Sequence, residues 1–218
     1  MFETSERIFV AGHLGMVGRA ILSNLESKGF KNLITANKSE LDLTNQSQVN
    51  NFFSSQTIDQ VYIAAAKVGG IYANSSYPGQ FIYQNLMIQS NLINAAHKFN
   101  VKKLLFLGSS CIYPVNASQP MHENKLLSGP LEETNQAYSV AKISGIEMCK
   151  SYNIEHGTDF RCVMPTNLYG SNDNFHQENA HDIILPHILT NDTNENIVKI
   201  NLCRCCPSRC TEWIRSGR

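Results

Sequence analysis

The 218 residues suffice for one good-sized domain, or for one domain and a fragment. Hydrophobic residues make up 42% and charged residues 17%, which predicts a buried core and excludes disorder of the whole chain. The 18 Lys and Arg balance the 18 Asp and Glu, so no basic block favours nucleic acid as a partner. We find no signal-peptide segment and no apolar run near the roughly 20 residues of a membrane helix, and we expect a cytoplasmic protein.

Strand-like and helix-like segments alternate along the chain, which is typical of a doubly wound parallel α/β sheet. Strands are predicted at 7–11, 32–36, 59–66, 103–108 and 159–164, and helices at 15–27, 45–55, 80–100 and 135–156. From about residue 191 the pattern ends, apart from a possible strand beginning in 197–200. The sequence therefore predicts one α/β domain over residues 1–190 and an aberrant or truncated tail over residues 191–218.

A glycine-rich segment follows the first predicted strand. Gly12, Gly15 and Gly18 have the spacing of a dinucleotide-binding loop, in which glycines permit the tight turn, the approach to a pyrophosphate and the packing of helix on strand. The start of the following helix offers N–H groups and a partial positive charge to the anion. His13, Met16 and Val17 complete this predicted cofactor loop.

The residues after the second predicted strand distinguish NAD from NADP. An acidic side chain there binds the ribose 2′-hydroxyl, whereas a basic one accepts a 2′-phosphate. Lys38 lies nearest to the strand end, which favours NADP. In the alternative interpretation, Lys38 is a solvated turn residue and Glu40 binds the ribose. Asp42 is a further candidate for contact with the cofactor.

Tyr138 and Lys142 lie four residues apart in a predicted helix and therefore on one face of it. A nearby ammonium is expected to lower the pKa of a phenol from about 10, and such a Tyr can exchange a proton with a carbonyl oxygen as hydride moves to or from the carbon. By itself this spacing is common, and an exposed helical pair is the alternative. The glycine loop and a serine pair beginning at Ser109 favour the catalytic interpretation.

Candidate site residues also end two other predicted strands, at the edge where open α/β sheets bind ligands. The fourth strand ends in Leu107, Gly108 and Ser109, with Cys111 in the loop that follows. A lone thiol is usually buried and inert, but beside a candidate catalytic serine a functional role is at least equally expected. The fifth strand is followed by Pro165, Thr166, Asn167 and Leu168.

Six segments of the chain resemble the GDP-L-fucose synthase family of the extended short-chain dehydrogenase/reductases. They lie at residues 12–18, 64–71, 81–85, 109–114, 138–142 and 164–176. The motifs Ser-Ser-Cys-Ile-Tyr-Pro and Met-Pro-Thr-Asn-Leu-Tyr-Gly are specific to this family, whereas the glycine loop and Tyr-x-x-x-Lys are shared by the superfamily. The similarity spans roughly residues 7 to 190.

The resemblance implies NADPH-dependent 3,5-epimerisation and 4-reduction of GDP-4-dehydro-6-deoxy-D-mannose to GDP-L-fucose. It implies a reductase triad of Ser109, Tyr138 and Lys142. It also implies that Cys111 and His181 are the base and the acid of epimerisation, and that Lys142 and His181 contact NADP. The C4 ketone acidifies the hydrogens at C3 and C5, so a thiolate can remove a proton on one face and an imidazolium can return one on the other. A GDP-sugar partner and a homodimer are implied as well.

The family continues into a smaller substrate domain, which is largely absent from this sequence. Two other functions stay open: another extended short-chain nucleotide-sugar epimerase, and a non-catalytic NADP-binding remnant. Cys111 argues against the first, because a plain 4-epimerase needs no Cys–His proton relay, and the missing substrate domain argues for the second. No metal site is expected in the cysteine-rich segment 203–210, since its spacing differs from that of zinc ligands.

Overall fold

A computed structural model of the chain describes residues 4–118, 120–165, 168 and 170, and the backbone of residues 200–201. The predictions for Thr166, Asn167, His181 and segment 203–210 lie outside these residues.

Helices and strands alternate along the described residues as the sequence predicted. In chain order they are β1 (Ile8–Ala11), α1 (Met16–Ser27), β2 (Leu33–Ile34), α2 (Gln46–Ser55), β3 (Gln60–Ile63), α3 (Ile71–Ser76), α4 (Pro78–Lys98), β4 (Lys103–Leu107), α5 (Gln136–His156), β5 (Phe160–Pro165) and β6 (Ile200–Asn201). Short 3-10 turns lie at Ser110–Ile112, Glu123–Lys125 and Glu133–Asn135. Among the described helices, none has the combination of length and apolar character that a bilayer span requires.

The strands form one sheet in the order β2-β1-β3-β4-β5-β6. The first five strands of this order pair in parallel, and β6 pairs antiparallel with the end of β5. From β1 the chain moves outward to β2 and then returns to place β3 on the other side of β1, so the direction of winding reverses between β1 and β3. Open α/β sheets bind ligands outside the carboxyl ends of the strands at such a reversal.

Strand β1 shows why the central strands are apolar throughout. Ile8 and Val10 pack with Leu25 of α1, whereas Phe9 and Ala11 pack into a larger cluster with residues of α2, α4 and α5. Successive side chains of a strand point to opposite faces, so a strand covered on both faces carries apolar residues at every position. This layering confirms the doubly wound sheet predicted from the sequence.

The ends of several elements differ from the prediction. β3 ends at Ile63 instead of Ala66: the Ala64 N–H still donates to the Ala11 carbonyl at 2.9 Å, and the chain then leaves the sheet. α4 begins earlier than predicted, with Pro78 in its first turn, where a missing N–H costs nothing. Helix α3 was not predicted, because its six residues are too few to show a helical period.

Helix α5 approaches the sheet closely at Gly145. A Cβ atom there would lie 2.6 Å from Cζ of Phe106 in β4 and 3.0 Å from Cδ of Gln89 in α4. The Gln89 amide donates to the Ala141 carbonyl at 2.5 Å, which fastens α4 to α5. Glycine at this position therefore allows the helix that carries Tyr138 to lie directly on β4.

Candidate active site

The glycine loop between β1 and α1 is held by two close backbone contacts. Gly12 has φ of +86°, a conformation that glycine adopts without strain, and a Cβ atom on it would lie 2.5 Å from the backbone nitrogen of Ala65. A Cβ atom on Gly18 would lie 2.1 Å from the Gly12 carbonyl oxygen. The tight turn and the close packing of helix on strand expected from the glycine spacing are both present.

The same loop has unused hydrogen-bonding capacity that fits an anionic group. Gly15 is the N-cap residue of α1 and has no side chain to accept from the first N–H groups of the helix, whose first turn holds no acidic residue. The His13 Nδ1 atom is buried without a hydrogen-bond partner in the described part of the chain. N–H donors at a helix N-terminus and a spare imidazole nitrogen are suited to bind phosphate.

A loop over residues 64–70 leads from β3 to α3 and lies against the glycine loop. The buried Asn85 of α4 holds it with two hydrogen bonds and makes a third within its own helix. Its Oδ1 accepts from the Lys67 N–H at 2.9 Å, and its Nδ2 donates to the carbonyls of Lys67 at 2.9 Å and Phe81 at 2.8 Å. Since Ala65 of this loop abuts Gly12, Asn85 supports one wall of the glycine loop.

The hydrogen bonds of the turn after β2 show which of Lys38 and Glu40 is available for contact with the ribose. The Glu40 carboxylate accepts from the Asn37 N–H at 2.8 Å, while the Asn37 side chain accepts from the Ser39 and Glu40 N–H groups. Glu40 thereby closes its own turn. Lys38 is exposed at the tip of this turn, which favours Lys38 over Glu40 as the residue available to a 2′-phosphate.

Asp42 has local hydrogen-bond partners. Its carboxylate accepts from the Thr44 hydroxyl at 2.7 Å and from the Thr44 N–H at 2.9 Å. These bonds, together with the positive charge of Lys38, lower the pKa of Asp42. The carboxylate therefore stabilises the turn that precedes α2.

Lys142 is the most deeply buried of the candidate catalytic residues that the structure describes, with 3% of its surface exposed. Its Nζ donates to the Leu107 carbonyl at 2.8 Å and lies 4.7 Å from the ring centroid of Phe106 and 5.8 Å from that of Tyr138. Burial lowers the pKa of Lys142 to about 8. The predicted spatial pairing of Tyr138 with Lys142 is thus present, at the end of β4.

The predicted effect of this pair on the phenol is wrong. The pKa of Tyr138 is raised above its ordinary value, first because burial disfavours the phenolate and then because of the charge of Cys111. Hydrogen bonding with Ser109 lowers it, but not enough to offset the burial. The sequence reasoning considered the charge of Lys142 and left out the loss of water from the phenol, which is the larger effect here. Tyr138 is therefore a protonated phenol at neutral pH.

Ser109 and Cys111 meet Tyr138 from the end of β4. The 3-10 turn over Ser110–Ile112, here called the Cys111 turn, begins after Ser109, whose Oγ accepts from the Cys111 N–H at 3.4 Å. Cys111 is a free, partly buried thiol. Ser109, Cys111, Tyr138 and Lys142, which are spread over 34 positions of sequence, are thus gathered at one edge of the sheet.

The end of β5 lies at the same edge. Pro165 closes β5, Leu168 is partly buried, and a Cβ atom on Gly170 would lie 3.7 Å from Sδ of Met16. Gly108, next to β4, donates its N–H to the Val163 carbonyl at 2.8 Å, which aligns the ends of β4 and β5. Gly170 therefore lies close to the start of α1.

Comparison with known proteins agrees with this site. The family model of the NAD dependent epimerase/dehydratase family matches residues 8–202. The chain belongs to this family. It is 57% identical to the GDP-L-fucose synthase of Escherichia coli over 186 residues, which are 85% of this chain and 57% of that protein. The chain thus spans little more than half the length of this relative.

Solved structures show the same relationship. A GDP-D-glycero-L-gluco-heptose synthase from Campylobacter jejuni, solved in the presence of NADPH, superposes with a TM-score of 0.82 at 41% identity, over 87% of this chain and 55% of that one. A GDP-L-fucose synthetase from Naegleria fowleri bound to NADP gives a TM-score of 0.77 at 28% identity, over 87% of this chain and 62% of that one. The resemblance noted in the sequence is confirmed.

The sequence reasoning assigned no individual role to two residues that hold the site, although both lie in segments that carry the family resemblance. Asn85 follows Phe81 by one helical turn on the buried face of α4, and Ser139 is buried on α5. Both are polar at positions where the helical period favours apolar residues. A polar side chain at such a position signals a required hydrogen bond, because burial without a partner is costly.

Replacement of Asn85 by Ala should lower the free energy of unfolding by about 2 kcal/mol, because the Lys67 N–H and the Lys67 carbonyl lose their partner. Urea denaturation of the chain measures this. Asn51→Ala, which removes an exposed amide from α2, is the matched control and should change stability by no more than about 0.5 kcal/mol. Equal effects of the two substitutions would contradict the role of Asn85.

Burial of Lys142 should make stability depend on pH in a defined window. Its pKa is about 8 in the folded chain and 10.5 ordinarily, so between these values the unfolded chain binds more protons and stability rises with pH. From pH 7 to about 9.5 we expect the free energy of unfolding to gain about 2 kcal/mol relative to Lys142→Met, in which the titrating group is absent. A constant difference between the two proteins across this range would show that the folded pKa of Lys142 is not lowered.

Proposed function

We propose that this chain carries the NADP-binding and catalytic residues of an enzyme that converts GDP-4-dehydro-6-deoxy-D-mannose to GDP-L-fucose with NADPH. The gathering of Ser109, Cys111, Tyr138 and Lys142 at the carboxyl end of β4 supports this function most directly. A phenol for reduction and a thiol for proton abstraction at one edge are suited to a reaction with both steps. The similarity to GDP-L-fucose synthases supports the choice of substrate.

NADP fits the residues that are present. The glycine loop with Gly12, Gly15 and Gly18 would hold the pyrophosphate, and Lys38 would hold the 2′-phosphate. Leu107, Gly108, Pro165 and Leu168 line the carboxyl ends of β4 and β5, where the reacting half of the cofactor would lie. When bound, NADPH supplies a hydride to the C4 carbon of the sugar. Thr166, Asn167 and His181 are proposed as further contacts on the basis of the sequence resemblance.

In the proposed reduction, Tyr138 donates its phenolic proton to the C4 oxygen. The phenol is protonated at neutral pH, as an ordinary tyrosine is, and burial raises its pKa further, so it is present in the form that a proton donor requires. Ser109, which bonds to Tyr138, orients the phenol and the ketone oxygen. Lys142, held by the Leu107 carbonyl, lies under the Tyr138 ring and favours the negative charge that develops on the phenol as its proton leaves.

In the proposed epimerisation, the Cys111 thiolate removes the proton at C3 or C5, which the C4 ketone acidifies. His181 returns a proton on the opposite face. Cys111 lies on the turn that begins directly after Ser109, so the sugar that presents its C4 ketone to Tyr138 also presents the neighbouring carbons to the thiol. The cytoplasmic location and the homodimer implied by the resemblance stay predictions.

The proposal is tested by incubating the chain with NADPH and GDP-4-dehydro-6-deoxy-D-mannose in D2O. We expect oxidation of NADPH, deuterium at C3 and C5, and GDP-L-fucose as the product in NMR spectra. Since related proteins act on GDP-heptoses, a GDP-4-keto-heptose is the second substrate arm. Turnover of that sugar alone would change the assigned substrate. The absence of both turnover and deuterium incorporation with both sugars would overturn the proposal.

Replacement of Lys38 by Glu should weaken NADPH binding at least about tenfold and leave NADH binding within about twofold, because a charge-assisted bond to the 2′-phosphate is worth about 1.5–3 kcal/mol. Calorimetric titration of each cofactor measures this. Lys31→Glu makes the same change of charge at another exposed position and is the control. Equal losses of NADPH affinity in the two variants would remove Lys38 from the cofactor site.

Two substitutions should separate the two chemical steps. Tyr138→Phe should lower NADPH oxidation by about 10²- to 10⁴-fold, since the proton donor is lost, while NADPH binding and deuterium incorporation persist. Cys111→Ser should suppress deuterium incorporation at C3 and C5 and leave cofactor affinity unchanged. Undiminished incorporation in Cys111→Ser would show that another group is the base.

A further inference from the structure

The Cys111 turn is fastened to α5 by one buried hydroxyl. The Ser139 Oγ lies 2.9 Å from the Cys111 carbonyl oxygen and 3.1 Å from the Asn135 Oδ1, and Ser139 has no exposed surface. A hydroxyl has one hydrogen and a carbonyl oxygen only accepts, so Ser139 donates to Cys111. The Asn135 Oδ1 faces this hydroxyl; with the amide turned over, its Nδ2 donates to the Ser139 oxygen instead.

Pro114 explains why the Cys111 carbonyl needs a donor from another element. In a 3-10 turn each carbonyl accepts from the N–H three positions later. The Ser109 and Ser110 carbonyls do so, from Ile112 and Tyr113 at 3.3 Å. The next carbonyl, that of Cys111, would pair with Pro114, which has no N–H. The Val115 N–H, one position further, donates instead to the Pro130 carbonyl.

The bond from Ser139 therefore replaces the missing bond of the turn, and it does so from the residue next to Tyr138. One hydroxyl thus joins the backbone of the thiol to the helix turn that carries the phenol. Ile112, within the same turn, is buried and anchors the turn on the other side.

From this contact we infer that Ser139 is a positioning residue, which holds the Cys111 thiol at a set place relative to Tyr138. This deepens the function proposed above and depends on it only for the statement that the placed thiol is the base. Without the Ser139 hydroxyl, the Cys111 carbonyl has no donor among the residues that the structure describes, and the turn opens more readily. The thiol then becomes more accessible to a reagent and less well placed for proton abstraction.

The test compares the intact chain with Ser139→Ala by alkylation with iodoacetamide and mass spectrometry. Tryptic peptide 104–125 contains Cys111 as its single cysteine. We expect alkylation of Cys111 to become about fivefold faster, equivalent to about 1 kcal/mol at 1.36 kcal/mol per tenfold. The buried Cys149 and Cys162 report on opening of the whole fold and should keep their rates. NADPH affinity should also be unchanged.

Two further variants complete the design. Ser144→Ala removes an exposed hydroxyl from the same helix, where it bonds to the Val140 carbonyl within α5, and should leave Cys111 alkylation unchanged. Asn135→Ala keeps the Ser139 hydroxyl but frees its rotation, and should accelerate Cys111 alkylation to a smaller extent. This variant also keeps the inference testable if Ser139→Ala does not fold.

The outcomes separate the positioning role from the proposed function. Faster alkylation confined to Cys111, with slower deuterium incorporation at C3 and C5, supports the role of Ser139. An unchanged rate at Cys111 overturns it, and so does an equal acceleration at Cys149 and Cys162, which would mean a general loss of stability. Alkylation requires no sugar substrate, so undiminished deuterium incorporation in Cys111→Ser would refute the thiol as base without affecting the test of Ser139.

Discussion

The placement of α5 on β4 is the constraint on which the candidate site depends. A glycine at position 145 lets the helix approach Phe106, and the buried ammonium of Lys142 donates to the Leu107 carbonyl at the end of the strand. Taking a charged amine out of water is costly, as the lowered pKa of Lys142 shows. The hydrogen bond to the Leu107 carbonyl, at the end of β4, partly offsets this cost. The ring of Tyr138 lies beside the same ammonium.

Other contacts at the carboxyl edge of the sheet extend from this one. Asn85 holds the loop after β3 against the glycine loop, and Ser139 holds the Cys111 turn against α5. Each is a buried side chain that satisfies backbone groups which the neighbouring secondary structure leaves without a partner. Buried polar groups of this kind define one arrangement of loops, because any displacement breaks several hydrogen bonds together.

The phenol and the thiol have different surroundings that agree with different tasks. Tyr138 is a protonated phenol at neutral pH, which matches donation of a proton to the ketone oxygen in the proposed reduction. Cys111 is partly exposed on a short turn, where a substrate can reach it. The two groups approach one edge of the sheet from different elements, so the sugar of the proposed reaction would meet both.

The amino-acid sequence by itself determined the fold class, the order of the elements and most residues of the candidate site. Apolar strands, helical periodicity and glycine spacing are local patterns, and the motifs around Ser109 and Tyr138 are contiguous in the chain. The direction of the pKa shift of Tyr138 and the roles of Asn85, Gln89 and Ser139 were decided by the tertiary structure alone. Burial depends on what packs around a side chain, and a hydrogen bond between α5 and the Cys111 turn joins residues 28 positions apart. Local sequence patterns span fewer residues than this separation, so they cannot show such a bond.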